Sequence, residues 1–265
     1  MKNLLNKLTT LSTLEINKLD KYSLYLKDYL AKNLIQSKMN GFIVSISGGV
    51  DSAFIALFLN KYFKDQTYFI YQPSKNISNL TTESIKALQD KIDNKQKIFT
   101  IEIENISKTI INQFKKSGFN FKTKTILNIF PRIRMTNIYT LANELNLLVV
   151  GTSNRSEWEL GYFTKHGDGA ADLFPIIHLS KVQVLYLAKK YNVPKIILER
   201  EPTAELFSGQ TDEKDLGFSY LELENYFNQK EIKIESYNKI KALIKLNKHK
   251  KNLNFPQDLN EFTNN

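Results

Sequence analysis

The chain has 265 residues, of which 42% are hydrophobic, and a formal net charge of +10 at pH 7. It contains no cysteine, which excludes a disulfide framework, a thiolate metal site and a thiol nucleophile. Its apolar runs fall short of the roughly 20 residues that cross a bilayer, and the N-terminus lacks the pattern of a cleaved signal peptide, so we expect a cytoplasmic protein. The positive charge favours polyanionic partners, namely nucleic acid, an anionic membrane surface or phosphate-rich small molecules, and does not choose between them. Dispersed surface lysines account for much of it.

Apolar periodicity predicts alternating helices and strands along the chain. Short apolar runs predict strands at 41–46, 67–71, 97–101 and 147–150. Helical spacing predicts helices at 14–37, 51–62, 81–91, 106–116 and 132–146. Such alternation is typical of an α/β fold, a doubly wound parallel sheet with helices on both faces. No Pro/Gly/Ser-rich linker interrupts it, so we expect a single domain over 1–265 with mobile tails at 1–12 and 250–265.

The loop after the first strand carries the string SGGVDS at 47–52, directly before a predicted helix. Adjacent glycines let main-chain N–H groups approach a phosphate closely, and the helix start and the serine hydroxyls add donors. Asp51 would repel a pyrophosphate unless a divalent cation lay between them, so we predict that it binds Mg²⁺. The alternative is an ordinary Gly-Gly turn in which Ser47 or Asp51 caps the following helix.

This string resembles the pyrophosphate-binding loop of the ATP pyrophosphatases, which cleave ATP between the α and β phosphates. The chain has no G-x-x-x-x-G-K-[ST] string, which argues against γ-phosphate transfer. Downstream, GTSNRSE and then GYFTKHGDGAAD are similar to the NAD synthetase family. Further similarities to that family lie at 132–135, 179–183, 201–206 and 216–220. The resemblance implies a Rossmann-like fold of the adenine nucleotide α-hydrolase type.

The resemblance also implies a set of ligand-binding residues. ATP is expected on Ser45, Ile46, Ser47, Gly48, Gly49, Val50, Asp51, Ser52, Thr152, Lys181 and Thr203. Deamido-NAD is expected on Arg132, Lys165, Asp172, His249 and Lys250, with Arg134 as the alternative to Arg132. Mg²⁺ is expected on Asp51 and Glu157, and these carboxylates with Lys181 are expected to be catalytic. Because parallel strands end on one edge of a sheet, we expect Asp51 and Glu157 to converge on the same region.

The implied reaction is the ATP-dependent amidation of deamido-NAD (nicotinic acid adenine dinucleotide) by ammonia. Its products are NAD, AMP and pyrophosphate, formed through an acyl-adenylate. Since the chain has neither a cysteine nor enough length for a fused glutaminase, it is similar to the ammonia-using branch of the family. The family further implies a homodimer, and we expect neither nucleic acid nor membrane as a partner. Two alternatives stay open: a tRNA-modifying ATP pyrophosphatase of the lysidine synthetase kind, and a nucleotide-binding module without catalysis.

Overall fold

The structure is a computed structural model that describes residues 2–9, 11–75, 77–203 and 211–252, without the side chains of residues 2 and 3. Within these ranges the strands are β1 Gly41–Ile46, β2 Thr67–Tyr71, β3 Ile98–Thr100 and β4 Leu147–Val150. The helices are α1 Lys2–Leu8, α2 Thr13–Ser37, α3 Val50–Tyr62, α4 Asn79–Lys91, α5 Glu104–Lys116, α6 Thr123–Leu127, α7 Ile129–Leu145, α8 Arg155–Leu160, α9 Lys181–Lys190, α10 Lys195–Leu198, α11 Asp212–Leu216, α12 Tyr220–Phe227 and α13 Ile234–Lys251.

The four strands form one parallel sheet in the order β3-β2-β1-β4. β1 lies in the interior of the sheet, where Val44 is in register with Phe69 of β2 on one side and with Val150 of β4 on the other. The chain builds outward from β1 to β2 and β3, and then crosses back to place β4 on the opposite side of β1. The strand order therefore reverses between β1 and β4, which is where such folds place a ligand-binding crevice.

Alternate residues of the strands point into two separate apolar clusters. Phe42 and Val44 of β1 lie in the larger cluster, to which α3 and α9 also contribute. Ile43 between them lies in a second cluster with Ile138 and Ala142 of α7. Because the side chains of a strand alternate between the faces of its sheet, these clusters place helices on both faces. The predicted fold class is confirmed.

The observed bounds match the predicted ones at β1, β2 and β4, and α2 to α5 start one or two residues before the predicted positions. Strand β3 begins at Ile98 because a turn of 3₁₀-helix occupies Lys95–Lys97, and it ends at Thr100, one residue before the predicted end. Helix α7 starts at Ile129, three residues earlier than predicted, and Pro131 stands in its first turn. Proline is tolerated there because the first N–H groups of a helix have no carbonyl partner within it.

Two groups of helices extend the central layers. Helices α8, α12 and α13 share a third apolar cluster around Leu160, Leu223 and Ile240. Helix α1, inside the predicted N-terminal tail, contributes Leu4 to the largest cluster. Residues 253–265, most of the predicted C-terminal tail, lie outside the described residues. None of the helices in the described part of the chain combines the length and the hydrophobicity needed to span a bilayer.

Candidate active site at the ends of β1 and β4

The loop after β1 is braced by its two serines. The Ser52 hydroxyl accepts the main-chain N–H of Ser47 at 3.2 Å and donates to the Gly49 carbonyl at 3.1 Å. Helix α3 then begins at Val50 with Gly49 as its N-cap and no side-chain cap. The predicted alternative, a cap by Ser47 or Asp51, is therefore wrong. The uncapped first turn leaves main-chain N–H groups of α3 for an anion.

Gly48 gives this loop its shape. Its φ of +79° lies in the left-handed region that favours glycine. Its carbonyl accepts a hydrogen bond of 3.2 Å from Nη1 of Arg200, which links the loop to the segment after α10. A Cβ atom at this position would lie 3.1 Å from the same guanidinium nitrogen. The loop is thus fixed by main-chain geometry as well as by hydrogen bonds.

The carboxylates of Asp51 and Glu157 meet at Lys181. Nζ of Lys181 lies 2.5 Å from Oδ2 of Asp51 and 3.5 Å from Oε1 of Glu157. The lysine is 4% exposed and occupies the first position of α9, after the cap Ser180. Fully buried lysines are rare unless they are paired. The ends of β1 and β4 therefore bring two carboxylates, 106 positions apart in sequence by their numbers, onto one buried cation.

Asn154 fixes both carboxylates from the opposite side. Its Nδ2 donates to Oδ1 of Asp51 at 3.0 Å, and its main-chain N–H donates to Oε2 of Glu157 at 3.1 Å. Its own Oδ1 accepts the N–H of Glu157, which completes the capping box of α8. We call Asp51, Asn154, Glu157 and Lys181 the carboxylate cluster. Asn154 was not predicted as a site residue, although an Asn three positions before a Glu is a recognisable capping pattern.

The carboxylate cluster buries more acidic groups than basic ones, and this shifts the pKa values of its members. Burial, reinforced by the charge of Asp51, raises the pKa of Glu157 to about 8 despite the opposing effect of Lys181. Burial disfavours the charged form of Lys181, but the carboxylates of Asp51, Glu157 and Asp212 outweigh it and raise the pKa of this lysine. Lys181 is therefore a fixed positive charge at neutral pH.

Asp212 is a third carboxylate near Lys181, and the sequence did not assign it a role. It is 5% exposed and accepts a hydrogen bond of 2.7 Å from the Tyr220 hydroxyl. The Tyr220 ring lies under Lys181, with Nζ 5.5 Å from its centroid. Burial raises the pKa of Asp212, and Lys181 opposes that shift. The signal for this residue was the string LGFSY at 216–220, which ends in the tyrosine that holds Asp212.

Four residues predicted to bind deamido-NAD come together between α7, the segment after α8 and α13. Nε of Arg132 donates to the Lys165 carbonyl at 3.3 Å, and Nζ of Lys165 donates to the His249 carbonyl at 2.9 Å. Nζ of Lys250 donates to the carbonyls of Gly161 and Phe163. Burial, with the neighbouring Lys124, lowers the pKa of Lys250. We call Arg132, Lys165, His249 and Lys250 the basic cluster.

Arg132 and Arg134 point to different partners. Arg132 is exposed beside Lys165, whereas Nε of Arg134 donates to the Gln72 carbonyl, in the loop after β2, at 3.2 Å. Gln72 in turn donates from Nε2 to the carbonyl of Arg134 at 3.0 Å. The geometry thus puts Arg132 with the basic cluster and Arg134 with the loop after β2.

Three other predicted residues, Asp172, Thr152 and Thr203, follow β4 or precede the undescribed segment 204–210. Asp172 accepts the N–H of Val149 at 2.7 Å and the Tyr139 hydroxyl at 3.2 Å, so it ties the segment after α8 to β4. Thr152 is half-buried just after β4. Thr203 is half-buried immediately before residues 204–210, which lie outside the described residues together with part of the predicted similarity at 201–206.

The chain matches the family model of NAD synthase over residues 22–254. The chain belongs to the NAD synthase family. A curated relative, the NH(3)-dependent NAD(+) synthetase of Mycoplasmopsis pulmonis, is 39% identical over 93% of this chain and 94% of its own length. The resemblance stated from the sequence is confirmed.

Two solved structures show the same fold. The NMN synthetase of Francisella tularensis is 30% identical, with a TM-score of 0.82 over 91% of this chain and 99% of its own. The NH3-dependent NAD synthetase of Campylobacter jejuni is 24% identical, with a TM-score of 0.74 over the same shares of both chains. The NAD synthase fold therefore extends over most of the chain, including β1, β4 and the loops that follow them.

The carboxylate cluster of this NAD synthase family member fits a divalent cation. Oδ2 of Asp51 and Oε1 of Glu157 already converge on one cation, the ammonium of Lys181. Among the described residues, no group of three or more His, Cys, Asp or Glu side chains could hold a metal ion. Two carboxylates suit Mg²⁺, because this ion commonly takes one or two carboxylates and completes its octahedron with phosphate oxygens and water.

Proposed function

We propose that the chain is an ATP-dependent ligase that converts deamido-NAD and ammonia into NAD, AMP and pyrophosphate. Its membership of the NAD synthase family and its 39% identity to an NH(3)-dependent NAD(+) synthetase support this activity. The observation within the molecule that carries the proposal is the carboxylate cluster beside the uncapped N-terminus of α3. The main-chain N–H groups of α3 suit the phosphates of a magnesium nucleotide, and the carboxylates suit its Mg²⁺ ion.

The chemistry has to activate a carboxylate, which repels nucleophiles and has a poor leaving group. In the first step an oxygen of the nicotinate carboxylate bonds to the α-phosphorus of ATP, and the bond between the α-phosphorus and the bridging oxygen breaks. Pyrophosphate leaves and an acyl-adenylate remains. In the second step ammonia bonds to the carbonyl carbon, AMP leaves with one of the original carboxylate oxygens, and the nitrogen releases a proton.

In this proposal the chain's own residues hold the charges in place. The loop 47–49 and the first turn of α3 bind the phosphates, with Ser45, Ile46 and Ser52 behind them and Thr152 and Thr203 at the rim. Asp51 and Glu157 would hold Mg²⁺, which would supply positive charge between the reacting anions. Lys181 contributes a fixed positive charge to the departing pyrophosphate. In many enzymes, hydrogen-bond donors and charges that are already in position in a buried site make the largest single contribution to lowering the activation barrier.

The basic cluster is the proposed site for the dinucleotide. Arg132 and Lys165 supply positive charge for its phosphates, and Lys250 and the His249 carbonyl hold the segment that carries Lys165. Asp172, which ties this segment to β4, is proposed to contact the dinucleotide as well. A chain without cysteine has no thiol to release ammonia from glutamine, so free ammonia is the proposed nitrogen donor.

The test is a product analysis. The pure protein is incubated with ATP, Mg²⁺, deamido-NAD and ammonium chloride, and the nucleotides are separated by anion-exchange chromatography. We expect NAD, AMP and pyrophosphate in equal amounts, and no NAD when glutamine replaces ammonium. ADP with inorganic phosphate would contradict the proposal. AMP formed only in the presence of tRNA would instead support a tRNA-modifying enzyme, and ATP binding without turnover would support a nucleotide-binding module.

A second substrate is favoured by one observation, the likeness to an NMN synthetase at a TM-score of 0.82 and 30% identity. The corresponding reaction here would amidate nicotinic acid mononucleotide, which has the same carboxylate and lacks the adenylate half. The ratio of kcat/KM for the two acids decides between them. We expect deamido-NAD to be preferred, in line with the 39% identity to an NAD(+) synthetase.

We also propose that the protein works as a homodimer in the cytoplasm. Exposed apolar side chains at the end of α5 and just after it, Phe114 and Phe119, are 48% and 60% exposed and are candidates for the contact. Contiguous exposed apolar side chains often mark an interface. Light scattering coupled to size exclusion should give about twice the 30.7 kDa chain mass. A monomer over the whole accessible concentration range would contradict the dimer.

A further inference from the structure

Lys181 lies where the proposed metal would bind. Its Nζ contacts Oδ2 of Asp51 and Oε1 of Glu157, while Asn154 occupies the other oxygen of each carboxylate. A Mg²⁺ ion bound by the same two inner oxygens would lie about 2.1 Å from each of them. The ammonium and the metal therefore compete for the same pair of oxygens, and their like charges repel each other at this distance.

The surroundings provide a second place for the ammonium. Asp212 is buried, and the hydroxyl of Tyr220 holds it at 2.7 Å. The ring of the same tyrosine faces Nζ of Lys181 at 5.5 Å, an arrangement that attracts a cation. With Asp51 and Glu157, Asp212 makes three carboxylates around one lysine, so a divalent cation would bring the group to neutrality. The three carboxyl groups can therefore accommodate the ammonium of Lys181 and a metal ion together.

We propose that Lys181 is a built-in counter-ion of the metal site, and that Mg²⁺ arriving with ATP displaces its ammonium from Asp51 and Glu157 towards Asp212. The inference rests on the proposed function, because the metal and ATP are taken from it. In the free protein the ammonium is the positive partner that Asp51 and Glu157 share. In the complex Asp212 acts as a positioning residue that keeps the ammonium beside the phosphates. A buried carboxylate pair without such a counter-ion would carry a large desolvation cost.

This arrangement makes metal binding depend on ATP. A metal ion alone must displace the ammonium of Lys181, and no phosphate is present to receive that ammonium. We therefore expect the metal ion alone to bind weakly. With ATP present, the displaced lysine gains the phosphates and Asp212 as partners, and the metal gains phosphate oxygens as ligands. Each ligand then favours the other, as linkage requires.

The experiment measures Mn²⁺ binding to the full chain by electron paramagnetic resonance, with and without α,β-methylene-ATP, which cannot be cleaved between those phosphates. The variants are Lys181→Met and, as a control on the same helix, the exposed Lys189→Met. For the wild type and the control we expect weak binding without the analogue and strong binding with it. For Lys181→Met we expect affinity without the analogue to rise by more than about tenfold. Equal Mn²⁺ affinity of wild type and Lys181→Met would overturn the proposal.

Asp212→Asn provides a second arm, which also serves if Lys181→Met does not fold. We expect it to weaken Mn²⁺ binding more with the analogue than without it, to lower kcat more than it changes KM for ATP, and to be partly rescued by Asp212→Glu. Equal weakening in both conditions would assign Asp212 a purely structural role and overturn the proposal. A wild-type protein that makes no NAD would refute the proposed function, whereas the Mn²⁺ titrations report on the lysine independently.

Discussion

The carboxylate cluster and the basic cluster hold their charges in opposite ways. In the carboxylate cluster, charged side chains are each other's partners, and Lys181 is buried where it contacts Asp51 and Glu157. In the basic cluster, Lys165 and Lys250 donate to main-chain carbonyls and stay at the surface or only partly buried. Buried charges interact strongly with a ligand that binds beside them, because little water screens them. Cations near the surface attract an anion more weakly. The first arrangement suits a reaction centre and the second suits substrate binding.

The largest effect on catalysis is expected when the carboxylates of Asp51 and Glu157 are neutralised. We expect Asp51→Asn and Glu157→Gln each to lower kcat by about 100-fold or more, because the charge they hold acts mainly in the transition state. KM for deamido-NAD should change little. Since both residues serve one cation, the double variant should cost much less than the product of the two single effects. Steady-state kinetics at saturating Mg²⁺ measure all three variants.

The control for these variants is Glu144→Gln, which removes an exposed carboxylate from α7. Its kcat should equal that of the wild type. Near-normal turnover of Glu157→Gln would remove Glu157 from the reaction centre and reduce its role to the capping box of α8. Fully multiplicative losses in the double variant would mean that Asp51 and Glu157 act separately.

Substitutions in the basic cluster should change KM for deamido-NAD rather than kcat. We expect Lys165→Ala to raise KM for deamido-NAD roughly tenfold while kcat falls by less than about threefold, because it removes uniform binding to ground and transition states. Lys91→Ala, an exposed lysine of α4, is the matched control and should leave both constants unchanged. A collapse of kcat at unchanged KM would transfer Lys165 to the reaction centre.

Asn154 combines a helix cap with contacts to Asp51 and Glu157, and Ser12 forms the same kind of capping box at the start of α2 without those contacts. We expect Asn154→Ala to cost about 1 kcal/mol of stability through loss of the helix cap. It should also lower kcat by about three- to tenfold, because Asp51 and Glu157 lose a shared donor. Ser12→Ala breaks an equivalent box at α2.

Chemical denaturation and kinetics on both variants separate the two effects. The Ser12 variant should show a similar loss of stability with an unchanged kcat. Equal kinetic losses in the two variants would show that the effect of Asn154 is only structural.

How far the sequence predicts these features depends on whether the signal is local. Strands β1, β2 and β4 were predicted at their observed bounds, because each is a short buried run between polar segments. Strand β3 was overestimated because the flanking lysines at an edge give no clear boundary. The start of α7 lies three residues before the predicted one, and Pro131 fits there because proline is tolerated in the first turn of a helix.

The site follows the same rule. Asp51 and Glu157 stand in long strings that resemble the NAD synthetase family, and the parallel topology explains why their loops meet. The two supporting residues, Asn154 and Asp212, were missed because their roles depend on tertiary contacts. Asn154 acts on a residue 103 positions away, and Asp212 reaches Lys181 through the ring of Tyr220. No spacing rule within the chain encodes such contacts.

The smallest expected effect is a dependence of stability on pH in the metal-free protein. Burial and Asp51 raise the pKa of Glu157 to about 8 from its ordinary 4.5, so the folded protein holds this proton more tightly than the unfolded chain. The stability from this group is fully present below pH 4.5 and is lost as the pH rises through about 8. We expect the melting temperature to fall by at least about 3 °C over this window.

Glu157→Gln cannot ionise and should flatten that part of the profile. Differential scanning calorimetry from pH 5 to pH 9, in the presence of EDTA, compares the two proteins. Parallel profiles of wild type and Glu157→Gln would show that another group causes the dependence.

The proposed attack of the carboxylate on ATP is tested most directly by following the oxygen atoms of the substrate. Deamido-NAD labelled with ¹⁸O at both carboxylate oxygens is converted with ATP, Mg²⁺ and ammonia, and the products are analysed by mass spectrometry. We expect one ¹⁸O in the phosphate of AMP and the other in the amide of NAD, because the carboxylate attacks the α-phosphorus and AMP leaves with the bridging oxygen. Unlabelled AMP, with ¹⁸O in inorganic phosphate or in water, would contradict it.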